Sequence, residues 1–507
     1  MTRWARCSSV PKIAAAALAF FGLAPMRPAL AGDRAQTCPV NSISVEPGSS
    51  IQSMVDRAGD GAVFCLKAGI HRAQAIRPRA GQHFHGEGGT VLNGSLLLDN
   101  FTREGRYWVA NSRLQRVAKH GECLPRAPGC NEPYGLFIDD RPLTRTLSKA
   151  ALATNEFYVD QAGGRVFIAD DPASRRVEVT VAAFAFESNA PDVLIANLTV
   201  EKYGSPAQRG AIHAREGVRW TMKDCVVKLN SGAGISVGTG SRVFGCDVHH
   251  NGQIGIEGHG EDIVIDGNRI WANNIYGFDP EWEAGGVKIA ISNGVTFRGN
   301  RVTDNDGAGL WCDIECRDVV FEDNFVENNQ HVGIFHEISF KAVIRRNVVR
   351  HNGRGRTWYW HADILIAASQ DVEVVDNTVT VEPGGCGIML IDQGRRGDNG
   401  TLYKTRNNFI HGNEMTFEDA PCAGGVSDVK PGEENYSIIT GGNNRFDANT
   451  YRVRTAAGRA RFVWGHELAD WDGFRRKGLE RTGRLVPAEA SEGVREKSDL
   501  EPVPSTR

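Results

Sequence analysis

A phrase of roughly two dozen residues recurs through the middle of the chain and constrains the fold more than any other feature. Each copy has a short run of alternating apolar residues, then Asn or Cys with an apolar residue after it, then a polar turn, as in VLIANLTV, IVIDGNRI and VTFRGNRV. Such a period is typical of solenoids. The marker residues stand 28, 21, 22, 32, 24, 23 and 30 residues apart, at Asn197, Cys225, Cys246, Asn268, Asn300, Asn324, Asn347 and Asn377.

The copies predict strands rather than helices. Their apolar residues alternate with a period of two and show no helical stripe, and the leucine spacing of leucine-rich repeats is absent. Parallel strands of stacked coils lie about 4.8 Å apart, so the markers are expected to form an inward ladder of Asn side chains while Val and Ile fill the core. Over roughly residues 40–450 the chain resembles the pectate-lyase-like superfamily. That resemblance implies an all-β, right-handed parallel β-helix solenoid.

The remaining segments divide the chain further. Residues 32–100 are interpreted as an N-terminal cap with a short amphipathic helix, followed by the first coils. Runs such as NEFYVDQAGGRVFIADDP predict a small β-subdomain inserted at 101–185, and the β-helix continues over 186–449. Residues 450–507 are interpreted as a C-terminal cap, with FVWGHELADWDGFRR as a capping helix, and a charged tail from residue 484 that we expect to be disordered.

Residues 1–31 have the features of a secretory signal peptide. Arg3, Arg6 and Lys12 precede an apolar run from 13 to 24, and a small-residue cleavage site ends at Ala31. We therefore expect an extracytoplasmic protein, periplasmic or secreted, after cleavage near Ala31. No later segment is apolar enough for a membrane helix, and we expect a monomer.

Charge and cysteine content narrow the partners and the compartment. The segment 1–31 carries four basic and no acidic residues, so its removal changes the formal charge from −3 to −7 (−3 − 4). No contiguous basic stretch indicates nucleic-acid binding. Ten cysteines remain, an even number that favours disulfides in an oxidising compartment. The expected pairs are Cys38–Cys65, Cys123–Cys130, Cys225–Cys246, Cys312–Cys316 and Cys386–Cys422, the third because stacking places one cysteine above the other.

One strand of each coil starts at a Gly-apolar pair, as in GISVG, GLWCD and GIFHE. The apolar residue after the Gly is expected to point inward, so the second and fourth residues after the Gly point outward. The first outward column is Ser236, Glu257, Lys288, Trp311, Phe335, Leu365 and Met389, and the second is Gly238, His259, Ala290, Asp313, Glu337, Ala367 and Ile391. His336 falls at an inward position and is expected to be a core residue.

The columns stack Asp313 on Glu337, with Trp311 and Phe335 beside them and Lys288 one coil away. Two carboxyl groups one strand apart repel unless one is protonated or a cation lies between them, and their spacing approximates the about 5–5.5 Å of retaining glycosidases. The aromatic pair suggests an exposed platform for a sugar ring. The alternative is a solvated acidic pair on the surface of a sheet.

The sequence YGFDP, residues 276–280, resembles a motif of the mannuronan carbon-5 epimerases, in which His follows the Pro; here Glu281 takes that place and an insertion follows. The resemblance implies that Asp279 is catalytic, with Asp313 as the later Asp and His331 as the later His of that family. We predict that Tyr276 and Glu281 contact substrate, and Tyr276 is also a candidate for moving protons.

The insertion GRGRTWYWHADI, residues 353–364, places aromatic and basic side chains over a neighbouring coil. Such residues suit stacking on sugar rings and binding of acidic groups. The alternative is a loop that packs on its own coil. The predicted substrate-binding residues of this loop are Arg354, Arg356, Trp358 and Trp360.

These features favour an enzyme that acts on an extended, acidic polysaccharide by lyase or epimerase chemistry. Such chemistry requires a cation for the uronate carboxylate, for which Lys288 is the candidate, and groups that move protons, among them His331. The alternatives are a retaining glycoside hydrolase that uses Asp313 and Glu337, and a non-catalytic glycan-binding or adhesin-like β-helix. No cofactor is indicated with certainty, and outward carboxylates allow Ca²⁺.

Overall fold

The computed structural model describes residues 38–112, 114, 119–454 and 461–488. The predicted signal peptide lies outside the described residues. The described chain is mostly strands, and each coil contributes one strand to each of three long parallel sheets. The prediction of a right-handed parallel β-helix is confirmed. No helix among the described residues is long and apolar enough to span a membrane.

Three sheets run the length of the solenoid. Sheet 1 consists, within the described chain, of Ile43–Val45, Val63–Leu66, His83–Gly86, Leu194–Ala196, Thr221–Lys223, Arg242–Phe244, Val264–Asp266, Thr296–Arg298, Val319–Glu322, Ala342–Arg345, Val372–Val375, Phe409–His411 and Arg445–Asp447. Sheet 2 consists of Gly69–Arg72, Thr90–Asn93, Thr199–Glu201, Val226–Lys228, Asp247–His249, Arg269–Trp271, Arg301–Thr303, Phe325–Glu327, Val348–Arg350, Thr378–Val381, Glu414–Phe417, Thr450–Val453 and Arg484–Pro487. Sheet 3 consists of Phe186–Glu187, Gly210–His213, Ala233–Val237, Ile254–Gly258, Gly285–Ala290, Ala308–Asp313, Ile334–Glu337, Ala362–Ala367, Cys386–Asp392, Cys422–Ser427, Arg461–Gly465 and Glu467–Ala469.

The helices are short and lie at the ends or in the loops. Helix α1, Ile51–Arg57, is capped by Ser50, whose hydroxyl accepts from the Ser53 amide at 3.2 Å. Helix α2, Pro280–Glu283, lies in the long loop before a sheet 3 strand. The other helices in the described ranges are α3, Ile438–Gly441, α4, Trp471–Arg476, and the 3₁₀ turns Lys149–Ala151 and Trp358–Trp360.

Asparagine ladders fasten one coil to the next inside the solenoid. Asn300 is representative: its Nδ2 donates to Asn324 Oδ1 at 3.0 Å and to the Ile265 carbonyl at 2.8 Å, and its Oδ1 accepts from Asn268 Nδ2 at 3.0 Å. This satisfies buried backbone groups at the coil corners. The first ladder runs through Asn268, Asn300, Asn324, Asn347, Asn377, Asn413 and Asn449. The repeat did not reveal a second ladder, formed by Asn230, Asn251, Asn273, Asn305, Asn329 and Asn352.

Two of the five predicted disulfides do not form. Cys225 and Cys246 take ladder positions and are free thiols. Their sulfurs face backbone carbonyls, Cys225 Sγ lying 3.3 Å from the Lys223 oxygen and Cys246 Sγ 3.4 Å from the Phe244 oxygen, so the two side chains lie parallel instead of joining. Cys312 and Cys316 are also thiols, with their sulfurs 2.7 Å apart. Cys38–Cys65, Cys123–Cys130 and Cys386–Cys422 are bonded.

Two small sheets occupy the stretch in which hairpins are predicted. One contains Ser95–Leu97, Leu136–Ile138, Arg141–Pro142 and Val177–Thr180, and the other contains Thr102–Glu104, Tyr107–Asn111, Thr144–Arg145, Glu156–Asp160 and Arg165–Ile168. The first small sheet is joined to the solenoid by a buried ion cluster, in which Glu178 contacts Lys202 Nζ at 2.5 Å and Arg72 Nη1 at 2.7 Å.

The C-terminal segment differs from the prediction in two places. Only residues 471–476 of the predicted capping helix are helical, because Arg461–Gly465 pairs with the preceding sheet 3 strand and turns back into Glu467–Ala469. Phe474 of α4 still covers the end of the core, 5.0 Å from the Phe462 ring. Residues 484–487, expected to be disordered, form the last strand of sheet 2, and residues 489–507 of the expected tail lie outside the described chain.

Candidate functional site

The outer face of sheet 3 carries the first predicted column in the predicted register. Strand pairing places Glu257 beside Lys288, Lys288 beside Trp311 and Trp311 beside Phe335. The column also extends one coil earlier, to His213. It changes character along the solenoid, from polar in the early coils to aromatic and then aliphatic.

The column is not open to solvent, so the prediction of an exposed aromatic platform is wrong. Trp311 is 6% exposed and Phe335 8%, and their rings stack on each other at 5.3 Å. The loop at 353–361 folds over this face, and Trp360 meets Phe335 edge-on at 6.3 Å. A period-two pattern fixes the side of the sheet but carries no information on which loop covers it.

Lys288 is the central charge of the site. Its Nζ lies 3.0 Å from Asp313, 3.2 Å from Glu283 and 4.0 Å from the centre of the Trp311 ring. Burial lowers the pKa of Lys288, but the carboxylates of Glu283 and Asp313 outweigh this and raise it above its usual value. The ammonium is therefore held charged and already neutralised by protein groups.

Glu283, which the sequence places in the same patch without assigning it a role, completes this cluster. Glu283 is the last residue of α2, and the carboxylate of Asp279 caps the start of that helix by accepting from the Glu281 amide at 2.9 Å. Gln208 Nε2 donates to Glu283 at 2.8 Å and holds it toward Lys288. The only sequence feature that points to Glu283 is the insertion that contains it, which lengthens this coil.

Asp313 and Glu337 occupy adjacent strands and titrate as a pair. Burial raises the pKa of Glu337 to about 8, and the neighbouring Asp313 charge raises it further against the opposing effects of Arg395 and Lys288. Arg395 Nη1 lies 3.3 Å from Glu337. Burial also raises the pKa of Asp313, but Lys288 opposes this directly. The repulsion between the two groups therefore favours a single proton on the pair, and Lys288 favours the ionised form of Asp313.

A second cluster of polar side chains lies on the same face of sheet 3, in the coils before Lys288. Ser236 donates a short hydrogen bond to Glu257, and Arg215 forms an ion pair with the same carboxyl group. Burial raises the pKa of Glu257 to about 7 despite Arg215. His213 Nδ1 lies 3.0 Å from Ser236 Oγ, and burial lowers the pKa of His213 to about 3. Both Ser236 and Glu257 stood in the predicted column but were not chosen as site residues.

The residues of the YGFDP loop lie in two different environments, one near His331 and one against the inserted subdomain. Asp279 lies near His331, whose pKa burial lowers to about 4 although the Asp279 charge opposes the shift. Glu281 forms an ion pair with Arg356 close by. Tyr276 instead packs toward the inserted subdomain, its ring near Gly252 and its hydroxyl near Gly135.

The 353–361 loop mainly covers the outer face of sheet 3. Arg354 is bound to Glu382 at 2.8 Å, Trp358 is 46% exposed, and Arg356 lies over the Trp360 ring at 5.3 Å. His336 is fully buried and its Nε2 is 2.9 Å from the Phe340 carbonyl, which is the expected core position.

One trio of His, Cys, Asp or Glu side chains in the described residues lies within metal-binding distance of one another, namely Cys38, Cys65 and Glu87, and its two cysteines form a disulfide. The Ca²⁺ prediction therefore stays a prediction.

Known proteins share the fold. The family model described as the right-handed beta helix region matches residues 210–379, and comparison with curated protein sequences gives no match. The solved complex of XylC with xylose is 14% identical over 88% of this chain and 85% of its own, with a TM-score of 0.57. The A-module of Azotobacter vinelandii mannuronan C-5 epimerase AlgE4 is 12% identical over 76% and 93%, with a TM-score of 0.41. A glycoside hydrolase is 9% identical over 72% and 88%, with a TM-score of 0.39.

Proposed function

We propose that this protein is a carbohydrate-active enzyme that cleaves glycosidic bonds of an extended polysaccharide with Asp313 and Glu337. The observation that carries the proposal is a pair of buried carboxyl groups on adjacent strands, of which Asp313 is contacted by Lys288 at 3.0 Å while burial raises the pKa of Glu337 to about 8. Strands about 4.8 Å apart place their side chains at a spacing close to the about 5–5.5 Å of retaining enzymes.

The two carboxyl groups have different roles in this proposal. Glu337, protonated at neutral pH, donates its proton to the glycosidic oxygen as the bond breaks. Asp313, contacted by Lys288 at 3.0 Å, attacks the sugar carbon as a carboxylate, and water then releases the sugar with Glu337 acting as base. Lys288 positions Asp313 and sets its charge.

The charges around Lys288 disfavour the lyase or epimerase chemistry expected from the sequence. A uronate carboxylate at the reacting sugar needs a free cation. Lys288 already contacts both Asp313 and Glu283, and Arg395 contacts Glu337.

Epimerase or lyase chemistry is a second candidate function, and its site would be at Asp279 and His331 instead of at Asp313 and Glu337. Asp279 and His331 lie together as the motif implies, and the lowered pKa of His331 keeps it neutral, as a base must be. The cation near Asp279 is Arg356, which is itself paired with Glu281. Against this candidate, Tyr276 faces the inserted subdomain.

The class of substrate, an extended polysaccharide, is also part of the proposal. The stacked coils form a long surface of the kind that suits a polymer, which the 353–361 loop covers at Trp311 and Phe335. XylC, which shares the fold, was solved with xylose. That likeness carries the fold only.

The reaction classes separate in one assay. The protein is incubated with alginate, pectate and neutral glycans, and reducing ends, absorbance near 235 nm and solvent-proton exchange are followed together. New reducing ends without absorbance are expected. Absorbance indicates a lyase and exchange without cleavage an epimerase, and either result, or no reaction with any glycan, contradicts the proposal.

A further inference from the structure

Five successive strands of sheet 2, from Asp247–His249 to Val348–Arg350, present an open outer surface, which we call the arginine face. The middle residue of each strand is fully buried in the core, so the first and third side chains point outward. The side chains of Arg269 and Arg301 are each 49% exposed, whereas Trp311 on the outer face of sheet 3 is 6% exposed. Sheet 2 is therefore open to solvent where sheet 3 is covered.

Two arginines stand directly opposite each other on the arginine face. Arg269 and Arg301 are paired in register on neighbouring parallel strands, which lie about 4.8 Å apart. Like charges at directly opposite positions repel each other and destabilise a sheet. An anion bound between the two guanidinium groups reduces that repulsion, so this pairing is more typical of a binding surface than of a purely structural one.

Arg269 is supported by an aromatic ring and makes no hydrogen bond to the neighbouring carboxylate. Its guanidinium lies 4.2 Å from the centre of the Trp271 ring. Asp247 is 3.7 Å away, which is longer than a hydrogen bond. That carboxylate instead accepts from Trp271 Nε1 at 2.7 Å. The donors of Arg269 are therefore not taken up by Asp247.

Arg301 has a similar environment one strand further on. Its guanidinium lies 4.2 Å from the centre of the Phe325 ring, and Glu327 is 3.7 Å away. Glu327 instead forms a closer ion pair with Arg350 at 2.5 Å. A guanidinium that lies with its flat side on a ring keeps the N–H groups at its edge free, and two of these match the two oxygens of a carboxylate.

The arginine face is positively charged although the chain as a whole is not. Its outward side chains include three arginines and two carboxylates, which leaves one positive charge (3 − 2), whereas the formal charge of the chain is −3. Burial lowers the pKa of His249 to about 4, so this side chain adds no charge at neutral pH. A local positive charge on an acidic chain suits an anionic partner, and stacked coils suit a polymer that runs along them.

We propose that the arginine face binds a stretch of a polyuronate chain, with Arg269 and Arg301 each pairing with a uronate carboxylate. The arginine face lies on sheet 2, and the Asp313–Glu337 pair lies on sheet 3. This inference therefore does not rest on the proposed glycosidase activity, and binding is expected whether or not the protein cleaves the polymer.

The test is calorimetric titration of the whole protein with polygalacturonate, alginate, dextran and oligodeoxythymidylate of similar chain length. At least one polyuronate is expected to bind about tenfold more tightly than dextran, because carboxylates form charged hydrogen bonds with arginine. Its binding is expected to weaken at least about threefold between about 50 mM and about 500 mM NaCl. No polyuronate binding at about 10 mM sugar residues, equal affinity for dextran, binding that salt does not weaken, or equal or tighter binding of the oligonucleotide would overturn the proposal.

Variants assign the surface. Arg269→Gln and Arg301→Gln are each expected to weaken polyuronate binding about fivefold, and the two together at least about tenfold. Arg445→Gln is the matched control and is expected to bind normally, because Arg445 is also exposed and lies 4.5 Å from the centre of the Phe409 ring, but on sheet 1. Circular dichroism checks that the variants fold, and either single variant carries the test if the other does not fold. Unchanged binding in the folded Arg269 and Arg301 variants, or an equal loss in Arg445→Gln, contradicts the assignment.

Discussion

Asp313 and Glu337 lie one above the other on neighbouring strands, yet each carboxyl group has its own cation. Lys288 Nζ is 3.0 Å from Asp313, while Arg395 Nη1 is 3.3 Å from Glu337 and belongs to a side chain that is 47% exposed. The buried lysine favours the ionised form of Asp313 although burial raises the pKa of that carboxyl group, whereas burial raises the pKa of Glu337 to about 8 despite the half-exposed arginine. This difference favours Glu337 as the acid and Asp313 as the nucleophile.

Activity is expected to depend on pH, because the reaction needs the two carboxyl groups in different protonation states. Glu337 must carry its proton and Asp313 must be ionised, so the profile is bell-shaped. Because the pKa of Glu337 is about 8, activity falls about tenfold per pH unit above that value. Initial rates of reducing-end release between pH 4 and pH 10, at about one pH unit per step, check this. Undiminished activity at pH 10 is inconsistent with Glu337 as the acid.

Stability is expected to fall as the pH rises. In the folded protein Glu337 keeps its proton up to about pH 8, against 4.5 when unfolded, so the folded state binds more protons between these values and loses stability as pH rises through them. Glu337→Gln removes this contribution. Urea unfolding should show the variant gaining stability relative to wild type between pH 5 and pH 9, whereas a constant difference contradicts the assignment. Glu257 and Asp363, whose pKa values are about 7 and about 8, contribute equally to both proteins.

Removal of Lys288 is expected to destabilise the fold strongly. Lys288→Met leaves Asp313 and Glu283 buried without their cation, and breaking a buried pair in this way costs about 3–5 kcal/mol. Lys341→Met breaks an ion pair whose side chains are 72% and 51% exposed, and it should cost less than about 1 kcal/mol. The free energies of unfolding in urea make the comparison; similar values for both variants contradict the buried cluster.

The sequence predicts the fold and the register well, because both follow from local patterns. The period of two decides which residues face outward, and the repeat decides which residues stack, so Lys288, Trp311 and Phe335 are placed in their column without a structure. The periodic signal does not reach the loops. Glu283 comes from an insertion and Arg395 from the segment that follows a later strand. For the same reason the cover over Trp311 was not predicted.

The Asn or Cys position of the repeat shows a second limit of prediction from the sequence. In the sequence two successive copies carry Cys there and the other copies carry Asn, and stacking alone predicts a Cys225–Cys246 bond. In the structure each sulfur instead faces a backbone carbonyl, as the Asn amides do in later coils. The side-chain direction at the coil corner decides this, and the strand pattern does not contain it.

Thiol mapping tests that assignment. Alkylation of unfolded, unreduced protein followed by peptide mass analysis is expected to find Cys225 and Cys246 alkylated, with Cys386 linked to Cys422. In folded protein both thiols are buried and should react slowly. A peptide in which Cys225 is linked to Cys246 is the contrary result.

The ladder is expected to contribute measurably to stability. Asn300→Ala removes bonds to Asn324, Asn268 and the Ile265 carbonyl, and leaves buried partners unsatisfied at a cost of about 2–4 kcal/mol. Asn189→Ala, at an exposed position outside the ladders, should change the free energy of unfolding by less than about 0.5 kcal/mol. Equal costs for the two variants argue against a stabilising ladder.

The most direct test of the two-carboxylate site is the rate of reducing-end release by wild type, Asp313→Asn and Glu337→Gln on the glycan that the wild type cleaves. Glu414→Gln, an exposed carboxylate on sheet 2 paired with Arg452, is the matched control. Both site variants are expected to lose at least about a hundredfold in rate while remaining folded, and the control is expected to keep the wild-type rate. Wild-type rates in folded Asp313→Asn or Glu337→Gln protein would contradict the site.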